Sequence, residues 1–152
     1  MKLSRLKAPD QELLRQLEEY DREAFGPTGL RTYDLAVMCE AGLVLLAHIG
    51  EEIAGSCQLM RVLDEPDFFY IVGFYVRPQW RGQGLGRELL RLVAEESRAM
   101  GAKGLVLTTA PTNEAALHLY KSAGFVIDRF VPHFYGENEH RYILRWYFAD
   151  KD

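Results

Sequence analysis

Cysteine is scarce in this chain, with only Cys39 and Cys57 among 152 residues. The two thiols stand apart, so they lack the C-x-x-C spacing of redox and zinc sites and the density of a secreted disulfide scaffold. The sequence therefore predicts two buried, unreactive cysteines, and we expect no metal site.

Long apolar runs and an excess of positive charge are also missing. No stretch approaches the roughly 18 residues of a membrane span, and residues 1–5 lead into charged sequence rather than a signal-peptide core. The formal net charge is -4 and the pI is near 5.6, which argues against a general nucleic-acid-binding domain. We expect a cytoplasmic protein with neither a nucleic-acid partner nor a membrane partner.

The sequence contains no internal repeat, low-complexity segment or long linker, and 48% hydrophobic with 26% charged residues is an ordinary globular composition. We expect one domain over residues 1–152. The apolar patterning predicts a helix that begins after the N-cap Asp10, a short helix within residues 113–123, and two more helices at 32–40 and 84–100. Strands are predicted at residues 2–6, 43–49, 53–63, 68–76, 105–109, 126–131 and 141–148.

A glycine-rich hexapeptide, residues 81–86 with the sequence RGQGLG, lies between the strand at 68–76 and the following helix. Glycines without a Cβ let the backbone turn sharply and approach a ligand closely. The helix then directs its unpaired first-turn N–H groups and its positive dipole end at the same point. Such a place suits a phosphate or pyrophosphate. We also expect four arginines to surround it with only one acidic neighbour, Glu88: Arg77, Arg81, Arg87 and Arg91.

The hexapeptide differs from two common phosphate motifs. A Rossmann G-x-G-x-x-G pattern would place its last glycine at Arg87 or Leu89, and the G-K-S or G-K-T of a Walker A loop is absent. The pattern R-x-x-G-x-G after a strand that ends in apolar-x-Val-Arg-Pro does fit. It resembles the acetyl-CoA pyrophosphate loop of the GNAT superfamily of N-acetyltransferases. The alternative is a glycine-rich turn that only caps a helix.

A second segment, residues 113–125, is similar to the N-x-x-A-x-x-L-Y-x-x-x-G-F signature of the same superfamily. It reads as a short helix with one apolar face. Gly124 is placed for a left-handed C-terminal cap, and Phe125 is the apolar residue just beyond it. The residues of the apolar face are Ala116, Leu119, Tyr120 and Ala123.

The resemblance implies an α/β fold with a mixed sheet of about seven strands and helices on both faces. It also implies an enzyme that transfers an acetyl group from acetyl-CoA to a primary amine of a small molecule or protein N-terminus, by direct attack. The alternative is a non-catalytic acyl-CoA-binding sensor module. A monomer or a homodimer is expected.

The family pattern also implies which residues contact coenzyme A. Backbone groups at residues 74–76 would pair with the pantetheine arm like an added strand, and residues 82–87 would hold the pyrophosphate. The implied cofactor-binding residues are Phe74, Tyr75, Val76, Arg81, Gly82, Gln83, Gly84, Leu85, Gly86, Arg87, Asn113 and Ala116.

Tyr120 is the predicted general acid. A phenol has a reference pKa near 10 and a thiol near 8.5, so the phenol stays protonated at neutral pH and can give a proton to a departing thiolate. The alternative is a core tyrosine whose hydroxyl is a structural donor.

The family's general base does not transfer to this chain. Tyr70 stands where many members have a glutamate on strand four, and Thr108 stands where the branch that acetylates ribosomal-protein N-termini has one on strand five. Ordered water leading to Glu65, Asp67 or His133 could remove the proton, or the acceptor could bind as a neutral amine; these alternatives stay open.

The acceptor pocket is expected from residues 25–33 and 132–139, where aromatic rings could select an apolar or cationic acceptor. The alternative is that these rings only close the open end of the sheet. The candidate acceptor-binding residues are Phe25, Arg31, Tyr33, Tyr70, His133 and Tyr135.

Overall fold

A computed structural model describes residues 1–150 as seven strands and four helices. The helices are α1 (Gln11–Phe25), α2 (Thr32–Ala41), α3 (Leu85–Ala99) and α4 (Glu114–Ala123). The strands are β1 (Lys2–Arg5), β2 (Leu43–Ile49), β3 (Glu52–Arg61), β4 (Phe68–Val76), β5 (Gly104–Thr109), β6 (Val126–Val131) and β7 (Arg141–Tyr147). α1 and α3, the longest helices, have 15 residues each, and no helix within residues 1–150 is long and apolar enough to cross a membrane.

All seven strands form one sheet in the order β1-β2-β3-β4-β5-β7-β6. Neighbouring strands are antiparallel except β4 and β5, which are parallel and are connected through α3. The mixed sheet is therefore confirmed. The largest error in a strand end is in β3, which stops at Arg61 rather than Leu63, because the chain turns there and the Val62 N–H donates to the Phe68 carbonyl at 2.9 Å. Four other strand ends, in β1, β3, β5 and β7, differ from the prediction by one residue.

α1 and α2 cover one face of the sheet. The Asp10 carboxylate accepts the Leu13 N–H at 3.0 Å, so Asp10 is the N-cap of α1 as predicted. The helix then buries Leu14 and Leu17 at helical spacing. These side chains form one core cluster with α2 and the sheet, to which Leu35, Met38, Cys39, Val44, Leu46 and Tyr75 belong.

α3 and α4 cover the opposite face, so the prediction of helices on both faces is confirmed. Leu89, Leu90 and Val93 of α3 are fully buried against the sheet, and Phe125 joins them directly after α4. Both cysteines are buried as predicted: Cys39 of α2 in the core cluster with α1, and Cys57 of β3 in the cluster with α3.

A cleft opens in the middle of the sheet because β4 and β5 diverge. They pair only from Phe68 to Tyr70 against Gly104 to Val106, although β4 continues to Val76 and β5 to Thr109. β4 remains paired with β3 beyond that point, and β5 remains paired with β7. Within residues 1–150, the facing edges of β4 and β5 therefore have no strand partner over the second half of each strand.

A β-bulge lies in β4 beside this cleft. Gln58 of β3 pairs with Gly73 and Leu59 pairs with Ile71, so Val72 has no opposite residue. Bulges bend a strand and increase its local twist, and they are common next to active sites. The bulge thus lies just past Tyr70, where β4 separates from β5.

Candidate active site

The glycine-rich turn lies between β4 and α3, at one end of the cleft. Gly82 and Gly84 have φ of 76° and 77°, a left-handed conformation that glycine adopts without strain. A Cβ placed on either would meet no atom within 4 Å, so the space above the turn is open. Gly84 is the N-cap of α3 and supplies no side-chain acceptor, which leaves first-turn N–H groups directed at that space.

This donor set fits a diphosphate. A bound anion is favoured by the backbone N–H groups and the positive dipole end at the N-terminus of α3. The glycine turn also favours it, because no side chain blocks the approach. Within residues 1–150 the Arg87 side chain makes no hydrogen bond or ion pair, so its guanidinium adds a positive charge available in the first turn of α3.

The prediction that four arginines surround the turn is corrected. The Arg77 guanidinium donates to the Ile53 carbonyl at 2.9 Å and stacks on Tyr20 of α1, on the opposite face. Arg91 lies one turn along α3, where it pairs with Glu88 and Glu95. Arg77 therefore lies away from the turn. Arg91, although paired with two carboxylates, still lines a cavity of about 350 Å³ together with Gly84 and Arg87.

Arg81, the first residue of the glycine-rich hexapeptide, has partners on both β4 and α1. Its Nε donates to the Val76 carbonyl at 2.8 Å, and its guanidinium lies 3.5 Å from the Glu23 carboxylate. Its side chain therefore closes the end of β4 against α1. A direct contact between Arg81 and a cofactor stays a prediction.

The residues expected to hold a pantetheine arm lie along the unpaired edge of β4. Phe74, Tyr75 and Val76 pair with β3 on one side and have no strand partner on the other within residues 1–150. The Tyr75 side chain is directed away from this edge, because its ring stacks on Tyr20 and its hydroxyl donates to Glu23 at 2.6 Å. The Phe74 ring packs against Tyr120 instead, and the unpaired edge itself consists of backbone groups.

Tyr120 stands on the α3 and α4 side of the cleft. Its ring packs edge-on against Phe74 at 6.3 Å and against Phe125 at 5.7 Å between ring centroids. Its hydroxyl makes no hydrogen bond within residues 1–150. Burial, together with the nearby Cys57 thiol, raises the pKa of Tyr120 to about 12. The phenol is therefore protonated at neutral pH and has its proton free to donate.

Asn113 and Gly124 define the ends of α4, of which only the cap at Gly124 was predicted. The Asn113 side-chain oxygen accepts the Ala116 N–H at 3.1 Å, and Gly124 has φ of 133° with its N–H bonded to the Tyr120 carbonyl. The structure thus gives Asn113 a role as helix cap. Cofactor contacts of Asn113 and Ala116 stay predictions.

The acceptor candidates separate into two groups. Tyr70 donates a hydrogen bond to the Thr108 hydroxyl at 3.1 Å, and Thr108 lies 3.3 Å from the Tyr135 hydroxyl. His133 lies in the same β6–β7 connection, where its Nδ1 accepts the Asn138 N–H at 3.0 Å. The structure therefore brings Tyr70 and Tyr135 together at the cleft, whereas the His133 ring packs against His140 at 4.6 Å between ring centroids.

The remaining acceptor candidates lie elsewhere. Arg31 lines a cavity of about 460 Å³ at the α1–α2 connection, together with Glu18, Arg22 and Gly26. Phe25 lies at the same connection with 47% of its surface exposed, and Tyr33 is 88% exposed on α2. No contact joins these three residues to the hydroxyl groups at the cleft.

The acidic candidates for the general base are engaged in ion pairs. Both oxygens of Glu65 accept from the Arg145 guanidinium at 3.0 and 2.8 Å, and Asp67 lies 3.6 Å from the Lys103 ammonium. Each carboxylate is held by a neighbouring cation outside the hydroxyl chain. The structure places no carboxylate in hydrogen-bond contact with Tyr70 or Thr108 within residues 1–150.

Two features of the cleft were not assigned from sequence. Thr108 was considered only as a missing glutamate, although its place on β5 puts its side chain on the face of Tyr70. Gln58 is 1% exposed, and neither polar atom of its amide has a partner within residues 1–150; the missing side chain at Gly73 leaves room for it. Nothing in the local sequence signals a buried amide at that position.

The family model described as Acetyltransferase (GNAT) family matches residues 11–125. Among curated proteins, the L-amino acid N-acyltransferase MnaT of Escherichia coli (strain K12) is 41% identical over 58 residues. That alignment covers 38% of this chain and 34% of MnaT, so the chain matches about a third of that relative's length.

Solved structures match over nearly the whole chain. An aminoglycoside 6'-N-acetyltransferase complexed with coenzyme A has a TM-score of 0.84 at 14% identity, with full coverage of both chains. The ribosomal-protein-S18-alanine N-acetyltransferase of Escherichia coli has a TM-score of 0.80 at 22% identity, covering 99% of this chain and 96% of that one. At these identities the likeness establishes the fold.

Proposed function

The chain belongs to the GNAT acetyltransferase family, and from this premise we propose that it is an N-acetyltransferase that moves an acetyl group from acetyl-CoA to a primary amine by direct attack. One observation carries the proposal. The cleft between β4 and β5 has an anion-binding turn at its end and a protonated, unpartnered phenol on its wall.

Coenzyme A would be held by backbone groups. The first-turn N–H groups of α3 and the Arg87 guanidinium would bind the diphosphate, and the free edge of β4 from Phe74 to Val76 would hydrogen-bond the pantetheine amides. When bound, acetyl-CoA supplies the thioester whose acetyl group moves to the amine.

Tyr120 would supply the proton that the departing thiolate needs. Its pKa of about 12 lies above that of a thiol, so the phenol holds its proton until negative charge develops nearby. Burial between Phe74 and Phe125 fixes the ring's position, which removes the entropy cost of orienting the donor.

The names of the similar proteins support an amine acceptor. MnaT is named for L-amino acids, and the two structural neighbours are named for an aminoglycoside and for a ribosomal-protein alanine. All three acceptors offer an amino group. We propose a small-molecule amine or a protein N-terminus for this chain, acting as a cytoplasmic monomer or homodimer without nucleic-acid or membrane partners. No observation favours the alternative of a binding module without turnover.

The proposal is tested by thiol release from acetyl-CoA in the presence of an amine panel: L-amino acids, thialysine, kanamycin and a peptide with N-terminal alanine. We expect release that depends on at least one amine, with the acetylated product seen by mass spectrometry. Calorimetry with coenzyme A accompanies the assay. Affinity for coenzyme A without amine-dependent release would support the binding module instead and refute the transferase.

A further inference from the structure

Three hydroxyl groups form a continuous chain across the mouth of the cleft. The Tyr70 hydroxyl donates to the Thr108 Oγ1 at 3.1 Å, and the Thr108 hydroxyl and the Tyr135 hydroxyl are 3.3 Å apart. Because Thr108 accepts from Tyr70, its own hydrogen is available for Tyr135. The chain thus links β4, β5 and the β6–β7 connection. Either hydroxyl of the Thr108–Tyr135 contact can donate, and with Thr108 as the donor both hydrogen bonds run in one direction.

The chain runs from the inside of the protein to solvent. Tyr70 is partly buried in the last residue pair before β4 and β5 diverge, whereas Tyr135 is 60% exposed. Burial is also the main reason that the pKa of Tyr70 is raised to about 12. Tyr70 is therefore a neutral hydroxyl that can pass protons but is a poor base at neutral pH.

The chain lies on the face of the sheet opposite Tyr120. Phe69 and Ile71 are buried in the α3 and α4 cluster, as are Leu105 and Leu107. Because side chains alternate along a strand, Tyr70 and Thr108 face the α1 and α2 side. Tyr120 packs with the α3 and α4 cluster. A reaction in the cleft would therefore have a proton donor on one face and the hydroxyl chain on the other.

We propose that Tyr70, Thr108 and Tyr135 form a relay that carries the proton of the attacking amine to water, in place of a carboxylate base. This inference rests on the proposed transferase function. As the C–N bond forms and the C–S bond breaks, the amine nitrogen gives a proton to the Tyr70 oxygen. The Tyr70 proton passes to Thr108, the Thr108 proton to Tyr135, and the Tyr135 proton to water. Tyr120 protonates the sulfur and recovers its proton from solvent.

The ends and middle of the relay suit this role. Each hydroxyl has one proton to give and lone pairs to accept another, so each again holds one proton after the transfer, and rotation about the C–O bonds restores the original donor direction. The charged group that faces it is Arg141, whose guanidinium lies 4.9 Å from the centre of the Tyr135 ring and is paired with Glu139. A cation there favours release of the proton at the exposed end.

The test replaces the middle hydroxyl. Thr108→Val removes the relay's link while keeping the side chain's shape, and we expect kcat to fall about 100-fold, within the usual range for lost proton transfer, with the KM for acetyl-CoA unchanged. Thr108→Ser restores a hydroxyl and is expected to keep kcat within about threefold of the wild type. The proton inventory in H₂O/D₂O mixtures should be curved for the wild type and linear for Thr108→Val.

Tyr147→Phe is the matched control, because Tyr147 is also 60% exposed and its hydroxyl is outside the chain. Tyr70→Phe gives a second cut that keeps the ring, in case Thr108→Val folds poorly. A readout without turnover is the Tyr70 hydroxyl proton in the ligand-free protein by NMR: Thr108→Val should move it upfield and Tyr147→Phe should not.

The outcomes distinguish the relay from the function it serves. Wild-type turnover together with full kcat in Thr108→Val and Tyr70→Phe would overturn the relay and leave the transferase standing. If kcat falls in Thr108→Val and also in Thr108→Ser, the cause is altered packing at position 108 rather than the lost hydroxyl, and the relay is overturned. A wild type that acetylates no amine would overturn both proposals, since no proton would need to leave.

Discussion

Replacement of Tyr120 by phenylalanine separates chemistry from folding unusually well in this protein. The Tyr120 hydroxyl makes no hydrogen bond within residues 1–150, and both edge-on ring contacts, with Phe74 and Phe125, remain in the variant. Removing an unpartnered, largely buried hydroxyl leaves no orphaned partner behind. We therefore expect the free energy of unfolding to change by less than about 1 kcal/mol, or about 2–4 °C in Tm.

The expected effect on the rate is much larger. Loss of a positioned proton donor typically costs 10²–10⁴-fold, and we expect about 10²–10³-fold in kcat, which is about 3–4 kcal/mol of transition-state stabilisation. kcat and kcat/KM should fall together, because the phenol acts only as charge develops on the sulfur. Since the pKa of Tyr120 is about 12, the wild-type kcat should show no alkaline loss from this group below about pH 11.

The assay is thiol release from acetyl-CoA with the best amine of the panel, for the wild type, Tyr120→Phe and Tyr147→Phe. Tyr147 loses an exposed hydroxyl on β7, so its variant reports any general effect of the Tyr-to-Phe change. A kcat for Tyr120→Phe within about threefold of the wild type, with an unchanged melting curve, would refute the assignment of Tyr120 as the acid.

Three further predictions concern the turn, a buried carboxyl and the end of α4. Gly84→Ala and its control Gly50→Ala both put a Cβ at positive φ in open space, so each should lower the free energy of unfolding by about 1–2 kcal/mol. Only Gly84→Ala should weaken the binding of coenzyme A measured by calorimetry. Equal affinities of the two variants for coenzyme A would contradict the anion site. Burial raises the pKa of Asp21 more than its backbone hydrogen bond lowers it, so the folded state keeps that proton to higher pH and wild-type stability should fall as pH rises from about 3.8. Asp21→Asn should remove this fall in the free energy of unfolding, which denaturant titrations measure at each pH. If the free energies of the wild type and Asp21→Asn change in parallel between about pH 4 and pH 7, the prediction for Asp21 is refuted. Gly124→Ala should lower the free energy of unfolding by about 1–3 kcal/mol, because its Cβ would lie 2.7 Å from the Trp146 indole nitrogen at a φ of 133°. An unchanged midpoint in chemical denaturation would contradict the cap geometry.

The order of elements could be predicted from sequence because each has a strong local signal. β4 has nine consecutive apolar or glycine residues and was predicted with its observed ends. The N-cap Asp10 was predicted because a side chain that bonds its own helix's N–H groups is a local feature. The same role of Asn113 was not predicted. β3 was predicted two residues too long, since the turn after Arg61 depends on a bond to Phe68 across the hairpin.

The candidate site was only partly predictable. The positive φ of Gly84 follows from the glycine spacing, but the directions of the arginine side chains do not. Arg77 turned to aromatic rings of α1 and of the following turn, and Arg91 to acidic neighbours on its own helix. Such long side chains take whichever partner the tertiary structure brings near, and local sequence does not show the partner on another element.

The hydroxyl chain shows the same limit more clearly. Tyr70 and Thr108 are 38 positions apart, and Tyr135 comes from a third segment. Their contact depends on the point where β4 leaves β5 and on the β4 bulge at Val72, neither of which has a local pattern. The family pattern indicates only that a glutamate is missing at Tyr70 and Thr108. It does not show that these two hydroxyl groups and that of Tyr135 are hydrogen-bonded to one another.

The account depends most on coenzyme A occupying the cleft between β4 and β5 with its diphosphate on the glycine turn. Backbone amide NMR during a titration with coenzyme A tests this residue by residue. We expect the largest shifts at residues 71–76 and 82–87. Absence of shifts there, or shifts confined to the α1–α2 cavity beside Arg22 and Arg31, would contradict the account.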